Sequence, residues 1–179
     1  MNRIALRIVI ACAVIALAIG CDLISKPRKG IKINERWETS NNVFKIRVTA
    51  YAEENGGFVG GAYYVFESAP VQSDSWREIM TYRHDDPDPI PRDQVRFVKD
   101  KIGYVFMIYK YAVTTDGGAT WQAWDIVEDL PNWKNNRAAI KDVKIGEDGL
   151  GVMSLTPFGD RPKLTELFTK DYGRHWSPQ

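Results

Sequence analysis

A chain of 179 residues, 44% hydrophobic and 26% charged, has the length of one domain and enough apolar material to bury a real core. Its 24 Lys and Arg nearly balance 23 Asp and Glu, leaving a formal charge of +1 and no basic footprint for nucleic acid. With two cysteines and two histidines in all, few routes to metal or nucleophilic chemistry remain.

The first element is not part of the fold. Arg3 and Arg7 form a positive stretch, Ile8 to Ile19 an apolar run, and the run stops at Ala18-Ile19-Gly20-Cys21. A membrane span needs ~20 predominantly apolar residues, which this run does not reach. The ending resembles the lipobox read by the bacterial lipoprotein signal peptidase, with Ala18 where Leu is commonest. Cys12 follows Val9-Ile10-Ala11, but cleavage there would leave too short an apolar segment. The resemblance implies cleavage before Cys21, acylation of its thiol and a membrane-anchored domain facing the periplasm. Asp22 would favour the inner membrane where enteric sorting applies. Cys12 is then lost and Cys21 capped, which rules out a disulfide, a cysteine nucleophile and a cysteine zinc site in the mature domain. Several acyl chains, at ~0.8 kcal/mol per buried methylene, anchor stably without help from the protein surface. Loss of Arg3 and Arg7 turns the charge slightly acidic. Residues 22–30, with Lys26, Pro27, Arg28 and Lys29, read as a tether, and 31–179 as a single β domain.

Beyond the tether the pattern is β. Phe44, Ile46, Val48 and Ala50 alternate with Lys45, Arg47 and Thr49, the period of a strand with one wet face. Asn55-Gly56-Gly57 supplies turn residues, and Phe58 to Glu67 returns. Val95 to Lys99, a turn at Asp100 to Gly103, and Tyr104 to Val113 repeat the arrangement, the last strand being apolar enough for burial on both faces. Ile140 to Ile145, the turn Gly146 to Gly149, and Leu150 to Leu155 do so again. The one helical signal is a short turn at Asn132 to Ala139. The expectation is an all-β chain of antiparallel meanders.

Thr114-Thr115-Asp116-Gly117-Gly118-Ala119-Thr120-Trp121 and Thr169-Lys170-Asp171-Tyr172-Gly173-Arg174-His175-Trp176 share one template. It resembles the Asp-box, the hairpin turn of sialidases and other propeller-like proteins. An Asp accepting amides of its own turn, a left-handed Gly and a Trp folding back to bury its ring explain the template physically. In families that carry it, the Asp-box is structural, so the resemblance assigns Asp116, Gly118, Trp121, Asp171, Gly173 and Trp176 to folding. Ser68 to Trp76 reads as a weaker third copy, keeping Asp74 and Trp76 without the Gly. Tryptophans 76, 121 and 176 are then spaced 45 and 55 residues apart, near the ~40–50 of a four-stranded blade. Closed propellers need about four to eight blades, so three blade-like units predict an incomplete propeller-like domain.

No catalytic constellation emerges. His175 precedes a template Trp, leaving His84 as the one candidate base, and no Gly-x-Ser-x-Gly, Ser-x-x-Lys or His-Glu-x-x-His motif is present. Glu53-Glu54, Glu128-Asp129 and Glu147-Asp148 are adjacent carboxylates that point to opposite faces of a strand and read as solvated turns. The expectation is a protein with no catalytic residue, cofactor or metal. The stretch Tyr82 to Asp93, with prolines at 87, 89 and 91, reads as an extended strut carrying His84, Asp85, Asp86 and Asp88. An inter-blade linker, a partner-binding loop and an oxygen-rich cation site are the readings open for it. Trp124 and Trp133 flank Glu128 to Arg137, either as interface anchors or as core.

A lipidated signal, a small β domain with Asp-box-like hairpins and no active site together resemble the periplasmic lipoproteins that act as immunity proteins against type VI secreted lipase effectors. That resemblance implies a protein partner, the secreted toxin, blocked sterically by a tethered inhibitor without turnover. An envelope assembly factor for a membrane complex and a glycan-binding module are the alternatives.

Overall fold

The computed structural model describes residues 31–53, 61–84, 91–129, 138–158 and 165–178. All but Ile31 belong to one compact unit, Lys32–Gln179. The signal, Cys21, the tether, the turn Asn55-Gly56-Gly57, Asp85, Asp86, Asp88 and Trp133 lie outside the described residues. Among those described, no helix is long and apolar enough to cross a membrane.

The chain is all-β, in three antiparallel sheets. The first contains β1 (Ile31–Ser40), β2 (Phe44–Glu53), β3 (Ala62–Pro70) and β4 (Arg77–His84) in sequential order. The second runs β5 (Val95–Lys99), β6 (Ile102–Met107), β7 (Lys110–Thr114) and β8 (Gln122–Asp125). In the third, β10 (Gly151–Pro157) lies between β9 (Ala138–Ile145) and β11 (Glu166–Thr169). Each sheet is a meander in which consecutive strands pair antiparallel.

Phe44, Ile46, Val48 and Ala50 of β2 are buried while Lys45 and Arg47 are half-buried on the opposite face, but Thr49, expected on that wet face, is fully buried and accepts the Arg36 Nε–H at 3.2 Å. The inward set joins Trp37, Tyr64, Phe66, Met80 and Tyr82 in a core shared with Val105, Met107 and Ala112 of the second sheet. A second core unites Tyr104, Phe106, Tyr111 and Val113 with Val143, Met153, Leu155 and Leu167 of the third. The second sheet is therefore the middle layer. Alternate residues of β6 serve different cores, which is why every position of that strand is buried.

The run Tyr104 to Val113 is not one strand. It reverses at Ile108-Tyr109, so that Met107 pairs with Lys110 and Tyr104 with Val113. Ile108 sits at φ +43, a left-handed conformation that a β-branched residue resists. Its surroundings hold it there: the Ile108 carbonyl accepts the Ile140 amide and the Tyr109 carbonyl accepts the Ile126 amide at 2.9 Å. A periodicity argument misses this turn because neither residue is a turn former and the run stays apolar through it.

Of the helical turn expected at Asn132 to Ala139, residues 132–137 lie outside the described residues and Ala138 and Ala139 open β9; a short helix, α1, lies at Ile126–Asp129. Asp125 caps it, accepting the Val127 amide at 3.0 Å, while Asp129 reaches back to the Asp125 amide at 2.8 Å. A 3-10 turn, Arg92–Gln94, precedes β5. Tyr82 to His84 are the last residues of β4, paired with Tyr64, Tyr63 and Ala62, and not the start of a strut.

Strand directions define two ends. At one, Asn41 accepts the Val43 and Phe44 amides while its side-chain amide donates to the Lys99 and Asp100 carbonyls, joining first and second sheets. Both Thr-x-Asp-x-Gly turns lie at this clamp end. At the far end are the tip Ile108-Tyr109, α1, the start of β9 and Phe158, whose ring stands 6.2 Å from that of Tyr109.

Candidate functional site

The two Thr-x-Asp-x-Gly turns share most of their hydrogen bonds. Each Thr hydroxyl donates to its Asp at 2.8 Å, in Thr114–Asp116 and Thr169–Asp171 alike. The same hydroxyls accept the Gly118 and Gly173 amides, both at 2.9 Å. The carboxylates then accept the amides of Thr120 at 2.9 Å and His175 at 3.0 Å. The final contact comes from different chemistry in the same place: the Thr120 hydroxyl at 2.6 Å from Asp116 and the His175 Nδ1 at 2.5 Å from Asp171. Gly118 and Gly173 have φ of +82 and +83, open to glycine without penalty. Register agrees as well, with Val113 opposite Gln122 and Phe168 bridged to Ser177.

Electrostatics follow from this bonding. Burial on its own would raise the Asp116 carboxyl, but the Thr120 hydroxyl and amide and the Thr114 hydroxyl outweigh it and hold the carboxyl below its ordinary range. Asp171 is lowered the same way, burial being outweighed by His175 and Thr169. Chemically, these carboxylates are acceptors whose lone pairs are spent on their own turns.

Each turn also reaches the preceding sheet. The Trp121 indole N–H donates to the Ser68 hydroxyl of β3 at 2.9 Å, and its ring meets Phe44 edge-on at 6.0 Å. Gly118 lies against the Phe44 ring and the Gly117 amide donates to the Lys101 carbonyl at 2.9 Å. Trp176 stands edge-on to Tyr111 of β7 at 5.5 Å, and Gly173 faces the Tyr111 hydroxyl. The Gln122 side chain donates to the Arg174 carbonyl at 2.9 Å. The turns are thus clasps between successive layers. Where the first has Gly117 at φ +76, the second has Tyr172 at +63, whose hydroxyl donates to the Glu147 carbonyl at 3.0 Å.

Ser68 to Trp76 lacks this geometry. The Asp74 carboxylate turns outward to Lys45 at 2.8 Å, which lowers its pKa through hydrogen bond and charge together. Trp76 is covered by Arg47 at 4.1 Å and Lys45 at 4.9 Å. With Asp74 only two residues before Trp76, where Asp116 and Asp171 stand five before their Trp, and with no left-handed Gly, the carboxylate has no turn to hold.

Of the candidate partner residues, His84 ends β4, half-buried, its ring stacked on Tyr82 at 6.1 Å. Trp124 lies on β8 opposite Tyr111 and packs against the second core, with a buried indole N–H that has no partner among the described residues. Its ring also meets His175 edge-on at 6.4 Å. His84 and Trp124 occupy the outermost strands of different sheets. Of the adjacent carboxylates, Asp129 and Asp148 hold backbone amides, Asp148 that of Leu150 at 3.0 Å.

Sequence reasoning missed one polar cluster. Arg96 of β5 donates to Asp142 of β9 at 2.7 Å and to the Val143 carbonyl, which also accepts the Tyr104 hydroxyl at 2.8 Å. Burial raises the Tyr104 hydroxyl above its ordinary pKa and outweighs the hydrogen bond and charge of Arg96, which act in the opposite sense. The cluster ties second and third sheets, and nothing in local spacing relates residues 46 and 47 apart. Among the described residues no group of three or more His, Cys, Asp or Glu is placed to hold a metal ion. Compared with protein families, curated proteins and solved structures, the chain matches none.

Proposed function

We propose that this protein is a lipid-anchored, periplasm-facing domain that binds a secreted protein and blocks it without turnover, its partner being a toxin of the lipase class delivered by type VI secretion. The observation that supports this reading is the repeated turn. Two copies, alike in the Thr-to-Asp, Gly-to-Thr and amide-to-Asp hydrogen bonds, spend their aspartates on their own turns and their tryptophan rings on the neighbouring sheet. That is the economy of an Asp-box domain, in which repeats build a rigid scaffold and recognition falls to the connections. His84 and the connection after it, with Asp85, Asp86 and Asp88, and the connection carrying Trp133 beyond Trp124, are the recognition elements of the proposal. A rigid scaffold loses little entropy on docking, and tethering raises the local concentration where the toxin arrives.

The test is a competition assay. The product of the neighbouring gene is exported to the periplasm of cells with and without this protein, and its activity is measured on phospholipid vesicles with the purified domain added. Protection in cells together with stoichiometric inhibition in vitro is expected. A membrane-complex defect in monoculture with no effect on the neighbouring product would replace this reading with an assembly role. A sugar-dependent change in tryptophan fluorescence would indicate a glycan module.

A further inference from the structure

Five large apolar side chains are exposed among the described residues, and their placement is uneven. Val71 and Leu150 belong to separate turns at the clamp end. The other three lie at the far end, one from each layer: Ile33 near the start of β1 (51% exposed), Val127 in α1 after β8 (42%) and Phe158 after β10 (50%). Tyr109 adds a half-buried ring beside Phe158. The chain joins the domain at this end, because β1 runs from Ile31 toward the Asn41 turn at the clamp end. Between Cys21 and Ile31 stand the nine residues Asp22 to Gly30, which span at most ~30 Å when extended.

We infer that the far end rests on the bilayer interface, with Ile33, Val127 and Phe158 as its contact points. This inference rests on the reading of Cys21 as the lipidated residue. Three apolar side chains distributed over three stacked sheets suit a planar partner better than a groove-shaped one. The Tyr109 ring suits the headgroup boundary, where an apolar body and a polar edge are both satisfied, and Phe158 adds purely apolar surface beside it. A short tether holds this end at an effective concentration near the millimolar range, so a contact too weak to recruit a free protein is still populated. The contact is apolar in character, since Glu128 and Asp129 directly follow Val127 and gain nothing from anionic lipid. A partner that acts on lipid is then met at the membrane surface itself.

The test uses the full acylated chain in phosphatidylcholine vesicles. Single cysteines at Phe158→Cys, Val127→Cys and, as the opposite-end control, Leu150→Cys carry an environment-sensitive fluorophore, and spin-labelled lipids serve as quenchers. Blue-shifted emission and at least twofold stronger quenching at 158 and 127 than at 150 is the expected result. Equal quenching at all three sites in a chain whose N-terminal peptide carries acylated Cys21 overturns the inference and leaves the anchor intact. A chain that retains Met1 overturns both. Fluorophores at 158 and 127 that respond only when a lipase is added, and never to quencher lipids, assign this end to a protein and also overturn it.

Discussion

Gly173 and Gly118 occupy equivalent turn positions with the same backbone conformation, yet their surroundings differ in a way that sets the cost of a methyl group. An alanine at either pays about 1–2 kcal/mol for the left-handed conformation. At 118 the added Cβ meets the side chain of Phe44, itself fully buried, at 3.1–3.3 Å, an overlap of only a few tenths of an ångström. At 173 it falls inside the van der Waals radius of the Tyr111 hydroxyl, on a ring that is fully buried, and approaches Ile145 at 3.0 Å. Tyr111 has little freedom to withdraw, so overpacking adds about 1–3 kcal/mol. Gly118→Ala is expected to cost about 1–2 kcal/mol and Gly173→Ala about 2–5. The Tyr111 hydroxyl has no hydrogen-bond partner among the described residues. Tyr111→Phe alone is therefore neutral to slightly stabilising, and in the Gly173→Ala background it recovers about 1–3 kcal/mol. Urea denaturation of wild type, both singles and the double gives the coupling energy directly. Equal costs at 118 and 173, or the same effect of Tyr111→Phe in both backgrounds, would refute the placement of that ring against the turn.

The lowered pKa values of Asp116 and Asp171 carry a sign: their contribution is fully present above the ordinary carboxylate range and disappears as pH falls through the depressed values. Melting temperature is accordingly expected to fall more steeply in acid for wild type than for Asp116→Asn, and parallel curves would contradict the bonding described. Trp176→Ala removes a buried ring and should cost about 3–5 kcal/mol, whereas Trp121→Phe, which chiefly loses the bond to Ser68, should cost about 1; denaturant midpoints decide the order. Cys21→Ala is expected to release the domain from membranes in a fractionation assay while leaving its melting temperature unchanged, and to weaken protection in the competition assay. Continued membrane attachment of that variant would remove the anchor from the proposal.

Strands with one wet face were legible because Phe44, Ile46, Val48 and Ala50 write their burial into alternate positions, and the turns were legible because Thr, Asp, Gly and Trp each do local work. Ile108-Tyr109 was not, since its turn is enforced by amides of Ile126 and Ile140 and not by its own composition. The same holds for Arg96, whose partners Asp142 and Val143 arrive from another sheet. Trp124 illustrates the ambiguity of large aromatics: open in the sequence between interface anchor and core, it is partly buried and packs against the core that holds Tyr111. Local chemistry reports local bonds, and contacts between layers must be seen.

Because β6 and β7 lend one side to each core, the molecule has a spine. Either outer sheet can fray while the remaining pair stays packed, but neither outer sheet touches a second core that would survive loss of the middle one. Amide exchange should accordingly be graded, slowest at Val105 and Ala112 and quickest along β1, so that the margin nearest the tether yields first and the middle layer last.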